Sequence, residues 1–144
     1  MGLTLKPFGV FKVFPTPGGT SQTPGPVAFR SASKFDNATW ENETFGAVTF
    51  LFGMGSYLHG AGGAHINIRA ALKTSDDVRF YFEYISRGDM TTHAIGKSPV
   101  ILAGQIDIDP ANEKYAWLNH THLVGRGMLT QDPLCQTYEM YVLV

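Results

Sequence analysis

Apolar and polar residues alternate with a period of two along most of this chain. The alternation is clearest over residues 65–73, and it returns over residues 79–84 and 105–109. Such a period indicates β-strands with one apolar face. No window of eleven or more residues keeps a helical period, so we expect at most one short helix, near residues 109–114. The pattern predicts an antiparallel all-β chain whose last strand covers about residues 137–144.

The clearest hairpin lies in the middle of the chain. A three-residue loop at 75–77 places Arg69 opposite Glu83, and it also places Ala70 opposite Phe82. A two-residue loop would instead set Arg69 against Phe82, because a one-residue slip exchanges the two faces of a strand. We therefore predict the three-residue loop.

Many short strands in 144 residues must either pack as a two-sheet sandwich or close into a barrel. Closure leaves no exposed sheet edge. A barrel of about eight to ten strands has room inside for side chains or for one small ligand. The segment 15–26 holds four prolines and three glycines, so we expect it to be a loop or an extended covering strand. The length fits a single domain over residues 1–144.

The composition argues against nucleic-acid and membrane partners. Eleven Lys and Arg residues against twelve Asp and Glu residues leave no positive surplus for a phosphate backbone. The apolar stretches are too short for a transmembrane helix, and residues 1–13 alternate, so no secretory signal is expected. The single cysteine, Cys135, suits a reducing compartment, and we expect a cytoplasmic protein. Since only 16% of the residues are charged, we expect a homodimer that covers apolar sheet surface.

Three stretches of the chain carry a family resemblance: Glu-Lys-Tyr-Ala-Trp-Leu-Asn at 113–119, Leu-Val-Gly-Arg-Gly at 123–127, and the hairpin strand and turn at 69–76. They resemble the "domain of unknown function 3237" family of bacteria and fungi. The resemblance spans roughly residues 3–144. The chain departs from the family where Ser56 and Tyr57 replace the usual Asp-Trp pair.

This resemblance implies a lipocalin-like antiparallel barrel with an internal cavity. Some fungal members resemble cyclases of aromatic polyketide pathways in secondary metabolism. One reaction attributed to such proteins is the addition of a phenol oxygen across a prenyl alkene, an intramolecular hydroalkoxylation.

The candidate chemistry begins with polar residues on the central hairpin. His65, Asn67 and Arg69 share one strand face, and Tyr81 and Glu83 lie opposite them in the predicted register. If this face lines the barrel interior, Glu83 is a candidate general acid, and burial would raise its pKa while Arg69 would lower it. If the apolar face points inward instead, Arg69 and Glu83 form a surface pair of small energetic worth. The period-two pattern leaves both orientations open.

A mechanism of this kind needs an acid, groups that handle the attacking oxygen, and aromatic rings that shield a cation. The acid is Glu83, with Glu41 and Asp107 as alternatives. Tyr115, Trp117 and Asn119 are predicted to share the face of another strand. The candidate catalytic residues are Glu83, Arg69, Tyr81 and His65, and the candidate substrate-binding residues are Trp40, Glu41, Tyr57, Asn67, Tyr115, Trp117 and Asn119.

The leading functional hypothesis is a cofactor-independent cyclase or isomerase that acts on a small, largely apolar aromatic substrate. The alternative is a non-catalytic binding or carrier protein for a similar ligand, and a structural subunit is a third hypothesis. His120 and His122 are predicted to lie on one strand face, a spacing that supplies two zinc ligands. No further metal-ligand or phosphate-binding motif accompanies them, so we predict neither a metal nor a nucleotide cofactor.

Overall fold

The computed structural model describes residues 2–60, 62–89 and 96–144. Nine strands and one short 3-10 helix lie in these ranges. The helix is Ala116–His120. The strands are β1 (Leu5–Pro24), β2 (Phe29–Asn42), β3 (Gly46–Ala47), β4 (Thr49–Gly60), β5 (Gly63–Lys73), β6 (Arg79–Gly88), β7 (Val100–Ile108), β8 (Leu123–Gln131) and β9 (Leu134–Leu143).

Eight of these strands form a closed antiparallel barrel. The order of neighbours is β1-β9-β8-β7-β6-β5-β4-β2, and the pairing of β1 with β2 completes the circle. The two-residue strand β3 pairs only with the end of β2. The predicted barrel is therefore confirmed, and a barrel of this size has an interior that side chains can nearly fill.

The central hairpin has the predicted register. Arg69 pairs with Glu83 and Ala70 with Phe82, and the Thr74 N–H donates to the Val78 carbonyl at 2.9 Å across the loop. Three-residue loops commonly end in a left-handed residue, usually glycine. Asp77 takes that position here with a φ of 71°, and its carboxylate lies 2.8 Å from Lys73 Nζ.

The helix lies further along the chain than predicted, and this changes a second prediction. Residues 116–120 form the 3-10 helix, so the expectation that Tyr115, Trp117 and Asn119 share a strand face is wrong. The buried residues are Tyr115 and Leu118, whose spacing of three matches one 3-10 turn. A period of two over five residues does not distinguish a strand from such a turn.

Segment 15–26 takes one of its two expected forms, an extended strand, whereas the start of the last strand differs from its prediction. The Pro- and Gly-rich segment 15–26 is mostly strand, because β1 runs to Pro24 with an irregular register between Pro15 and Thr20. The last strand begins at Leu134 rather than near 137.

The apolar face of nearly every strand points into the barrel. Strand β5 shows this plainly, since Ile66, Ile68 and Leu72 are buried while His65 and Arg69 are exposed. Burial of apolar surface stabilises the fold by about 25 cal/mol per Å². This decides the orientation that the sequence pattern left open.

Candidate functional site

One end of the barrel is filled by aromatic rings. Phe8, Phe11 and Phe45 each lie 5.2–5.6 Å from Trp40, measured between ring centroids. The Trp40 indole N–H donates to the Phe8 carbonyl at 2.8 Å, which satisfies its only buried polar atom. These ring contacts fill the interior at this end, and we call it the closed end.

The closed end is fastened by side chains of the 3-10 helix region. Tyr115 O–H donates to Asp76 Oδ1 at 2.7 Å, and Lys114 Nζ lies 3.1 Å from Asp76 Oδ2. Hydrogen bonds from Thr74, Tyr115 and Lys114 hold the pKa of Asp76 well below its usual range. These contacts join the central hairpin to the segment that precedes the helix.

The opposite end of the barrel contains a cavity of about 210 Å³, and we call it the open end. Side chains from six strands line it, although they lie far apart in sequence. In the part of the chain that the structure describes, none of the lining residues is charged. The lining residues are Pro15, Thr20, Gln22, Ser33, Phe35, Gly55, Tyr57, His59, Ile66, Ile68, Leu129, Leu134 and Gln136.

Among the described lining residues, His59 supplies the one imidazole at this cavity. Its ring stacks on Phe29 at 5.5 Å with an interplanar angle of 18°, and the Tyr57 ring lies 5.5 Å away on a tilt of 39°. The Nε2 atom of His59 is buried and has no hydrogen-bond partner in the described structure, and the same holds for Ser31 Oγ on the neighbouring strand. Unpartnered buried polar atoms are costly and uncommon in native proteins.

A buried hydrogen-bond chain runs inward from the cavity. Tyr138 O–H donates to Gln136 Oε1 at 3.1 Å, and Ser86 Oγ lies 3.0 Å from the Tyr138 hydroxyl oxygen. Burial raises the pKa of Tyr138 to about 12, so this phenol is protonated at neutral pH. Tyr84, 5.9 Å from the Tyr138 ring, is fully buried, and burial raises its pKa well above the usual value.

The predicted catalytic residues lie on the outer wall of the barrel and do not converge on the cavity. Arg69 Nε and Glu83 Oε1 are 3.4 Å apart, with 61% and 32% of their side chains exposed. Tyr81 and His65 lie on the same outer face, as does Asn67. Burial, followed by the charge of Glu83, raises the pKa of Tyr81. The apolar residues that alternate with these predicted catalytic residues along β5 and β6 occupy the barrel interior.

Most of the predicted substrate-binding residues lie at the closed end. Trp40 and Tyr115 are packed in its core, while Glu41 and Trp117 are exposed there. The Asn119 side chain is hydrogen-bonded to the end of β7. It accepts from the Ile108 N–H and donates to the Ile108 carbonyl, both at 2.9 Å. Of the seven candidates, Tyr57 alone lines the cavity.

The two spaced histidines do not lie on a strand. His120 ends the 3-10 helix and His122 lies in the connection to β8, so the expected strand geometry is wrong. Across residues 2–60, 62–89 and 96–144, no group of three His, Cys, Asp or Glu side chains is placed to hold a metal ion.

Sequence reasoning missed His59, Gln136 and Tyr138 as site residues. A usable signal was present for His59, since it continues the period of Gly53, Gly55 and Tyr57 and so shares their inward face. No local signal marked Gln136 as a cavity residue. It faces the cavity only because β9 lies beside β1 in the closed barrel.

The described residues form a closed eight-stranded antiparallel barrel with aromatic packing at one end and a cavity at the other. The chain is similar to a β-barrel-like protein from Acinetobacter baumannii, with 20% identity and a TM-score of 0.80 over 100% of this chain and 98% of that one. A conserved protein of unknown function from Rhodopseudomonas palustris has 11% identity and a TM-score of 0.83, over 100% and 99% of the two chains. An enzyme from Penicillium herquei has 14% identity and a TM-score of 0.73, over 100% and 96%.

At these identities the likeness shows the barrel fold alone. No protein-family model matches the chain, and no curated protein sequence matches it significantly. Within the described ranges, none of the helical structure is long and apolar enough to cross a membrane.

Proposed function

We propose that this chain binds a small, uncharged, largely apolar aromatic molecule in the cavity at the open end of the barrel. The observation that carries the proposal is the lining, in which apolar and neutral polar side chains surround about 210 Å³. An apolar cavity of about 150 Å³ holds benzene, so one or two aromatic rings are the matching size. A charged ligand would lose its hydration without gaining an opposite charge among the described lining residues.

Two tryptophan variants test the binding site. Leu134 lines the cavity and is 40% exposed, so Leu134→Trp adds bulk at the mouth where the fold can accept it. Ile101, 48% exposed on the outer wall, provides the matched control Ile101→Trp. Equilibrium dialysis of naphthalene should give saturable binding to the wild type and to the control. The affinity of Leu134→Trp should be lower than that of the wild type by about tenfold or more. Equal binding by both variants, or none by the wild type, contradicts the proposal.

A second candidate function is a cofactor-independent cyclase or isomerase that acts in the same cavity. The observation that favours it is the unpartnered Nε2 of His59, because an imidazole nitrogen without a protein partner can give a proton to, or take one from, a bound substrate. In this version His59 takes the acid–base role that the sequence analysis assigned to Glu83. The fold likeness to an enzyme from Penicillium herquei supports this candidate only as an analogy.

Chromatography with mass detection tests this second candidate. A panel of prenylated phenols is incubated with the wild type, His59→Phe and Glu83→Gln. A product of unchanged mass and new retention time should form with the wild type and Glu83→Gln and disappear with His59→Phe. If Glu83→Gln alone abolishes it, the chemistry takes place on the outer wall. If none forms, the carrier function stands alone.

We also propose the family, the cellular location and the oligomeric state of this protein. Membership of the domain of unknown function 3237 family is supported by the element at 113–119, which supplies Tyr115 and Asn119 to the closed end. A cytoplasmic location is supported by Cys135, which is a free thiol. A homodimer is supported by the exposure of Phe52 (60%) and Met54 (51%), and light scattering of the wild type and Phe52→Glu tests it.

A further inference from the structure

The cavity contains one amide side chain that is almost completely buried. Gln136 is 8% exposed, and its neighbours in the lining include the apolar residues Phe35, Leu129 and Ile68. A buried amide needs hydrogen-bond partners, since an unpaired one costs free energy. Its partners therefore show which hydrogen-bonding group a ligand would meet.

The buried chain behind Gln136 has a defined direction. Tyr138 gives its only proton to Gln136 Oε1, so Ser86 must donate to the Tyr138 oxygen. The raised pKa of Tyr138, about 12, keeps that proton in place across the physiological range. The carbonyl oxygen of the Gln136 amide thus accepts the hydrogen bond from Tyr138. The NH2 group of the same amide is the donor that a ligand in the cavity would meet.

The Gln136 NH2 group lies beside apolar walls, whereas the Thr20 and Ser33 hydroxyls, which also line the cavity, are hydrogen-bonded to each other at 2.7 Å. A buried donor of this kind favours an acceptor on the ligand. In a low-dielectric cavity a hydrogen bond is stronger than in water, and an unmet donor is correspondingly costly. A carbonyl oxygen accepts without bringing a proton that needs its own partner. It also carries no net charge, which agrees with the neutral lining.

We propose that Gln136 determines ligand specificity by donating a hydrogen bond from its NH2 group to the carbonyl oxygen of an aromatic ketone or a related aryl carbonyl compound. This inference rests on the proposed binding function and adds the chemical class of the ligand. Tyr138 acts as a positioning residue, because its O–H holds the amide in this orientation.

A matched pair of ligands and two variants test the inference. The ligands are 2-acetylnaphthalene and 2-ethylnaphthalene, which have similar shapes and differ in the carbonyl oxygen. The wild type should prefer the ketone about fivefold, as expected for one net hydrogen bond. Gln136→Leu should bring the ratio of the two affinities to about one, so that the ketone is no longer preferred, and Tyr138→Phe should give an intermediate ratio.

Glu139→Gln, on the outer face of the same strand, is the control and should leave the preference unchanged. The infrared carbonyl stretch of bound 2-acetylnaphthalene should lie at lower frequency in the wild type than in Gln136→Leu. If Gln136→Leu does not fold, Gln136→Met takes its place.

An unchanged preference in the Gln136 variant overturns this inference and leaves the binding function intact. Failure of both ligands to bind the wild type overturns the binding function and this inference together.

Discussion

The hydroxyl of Tyr115 donates a 2.7 Å hydrogen bond to Asp76, a residue 39 positions earlier in the chain. This contact ties the 3-10 helix region to the loop of the central hairpin. It lies at the closed end, whereas the cavity lies at the open end. The barrel thus separates a fastened, aromatic end from an end that can accept a ligand.

Asp76→Asn should make the thermal stability less sensitive to acid. The pKa of Asp76 is held well below its unfolded value of about 3.9, so its contribution is present above that pH and is lost as the pH falls through the folded pKa. Melting temperatures between pH 7 and pH 2 should fall more steeply for the wild type than for the variant. Glu43→Gln, which alters another exposed carboxyl group, is the control. Parallel curves for wild type and Asp76→Asn would show that the hydrogen bonds to Asp76 do not stabilise the fold.

Asn119→Ala should destabilise the fold by about 1–3 kcal/mol, because it leaves the buried N–H and carbonyl of Ile108 without partners. Urea unfolding monitored by tryptophan fluorescence gives the free energy of unfolding. Asn112→Ala is the matched control, since the hydrogen bonds of Asn112 that hold this turn come from its backbone. A loss below about 0.5 kcal/mol would mean that Asn119 is an ordinary surface residue.

Arg69 and Glu83 should couple weakly. Their ion pair lies on the exposed outer wall, where such pairs contribute about 0.2–1 kcal/mol. A double-mutant cycle with Arg69→Met and Glu83→Gln measures the coupling, and naphthalene binding should be the same in all four proteins. A change in naphthalene affinity would show that this pair communicates with the cavity.

Tyr138→Phe should flatten the loss of stability at alkaline pH. The pKa of Tyr138 is raised from 10.0 to about 12, so between these values the unfolded chain releases a proton that the folded chain keeps. Stability of the wild type therefore falls as the pH rises above about 10. Unfolding free energies at pH 8 and pH 11 test this, with Tyr141→Phe on the outer face of the same strand as control. If the unfolding free energy falls equally in all three proteins, the loss of stability at alkaline pH comes from groups other than Tyr138.

The strands of the central hairpin and their register could be predicted from the sequence. Both follow from local rules, since a period of two marks a strand and the choice of a 75–77 loop pairs apolar with apolar residues. The strand pattern left a sandwich and a barrel open, and the family resemblance implied the barrel that the structure shows.

The face of each strand that lines the interior, and the end of the barrel that holds the cavity, could not be predicted without the closed fold. The period of two is the same for either orientation, and the balance is set by the apolar area that closure buries. The helix at 116–120 likewise depends on distant partners, namely Asp76 for Tyr115 and Ile108 for Asn119. The cavity assembles His59 from β4 and Gln136 from β9, which share one space only once the barrel has closed.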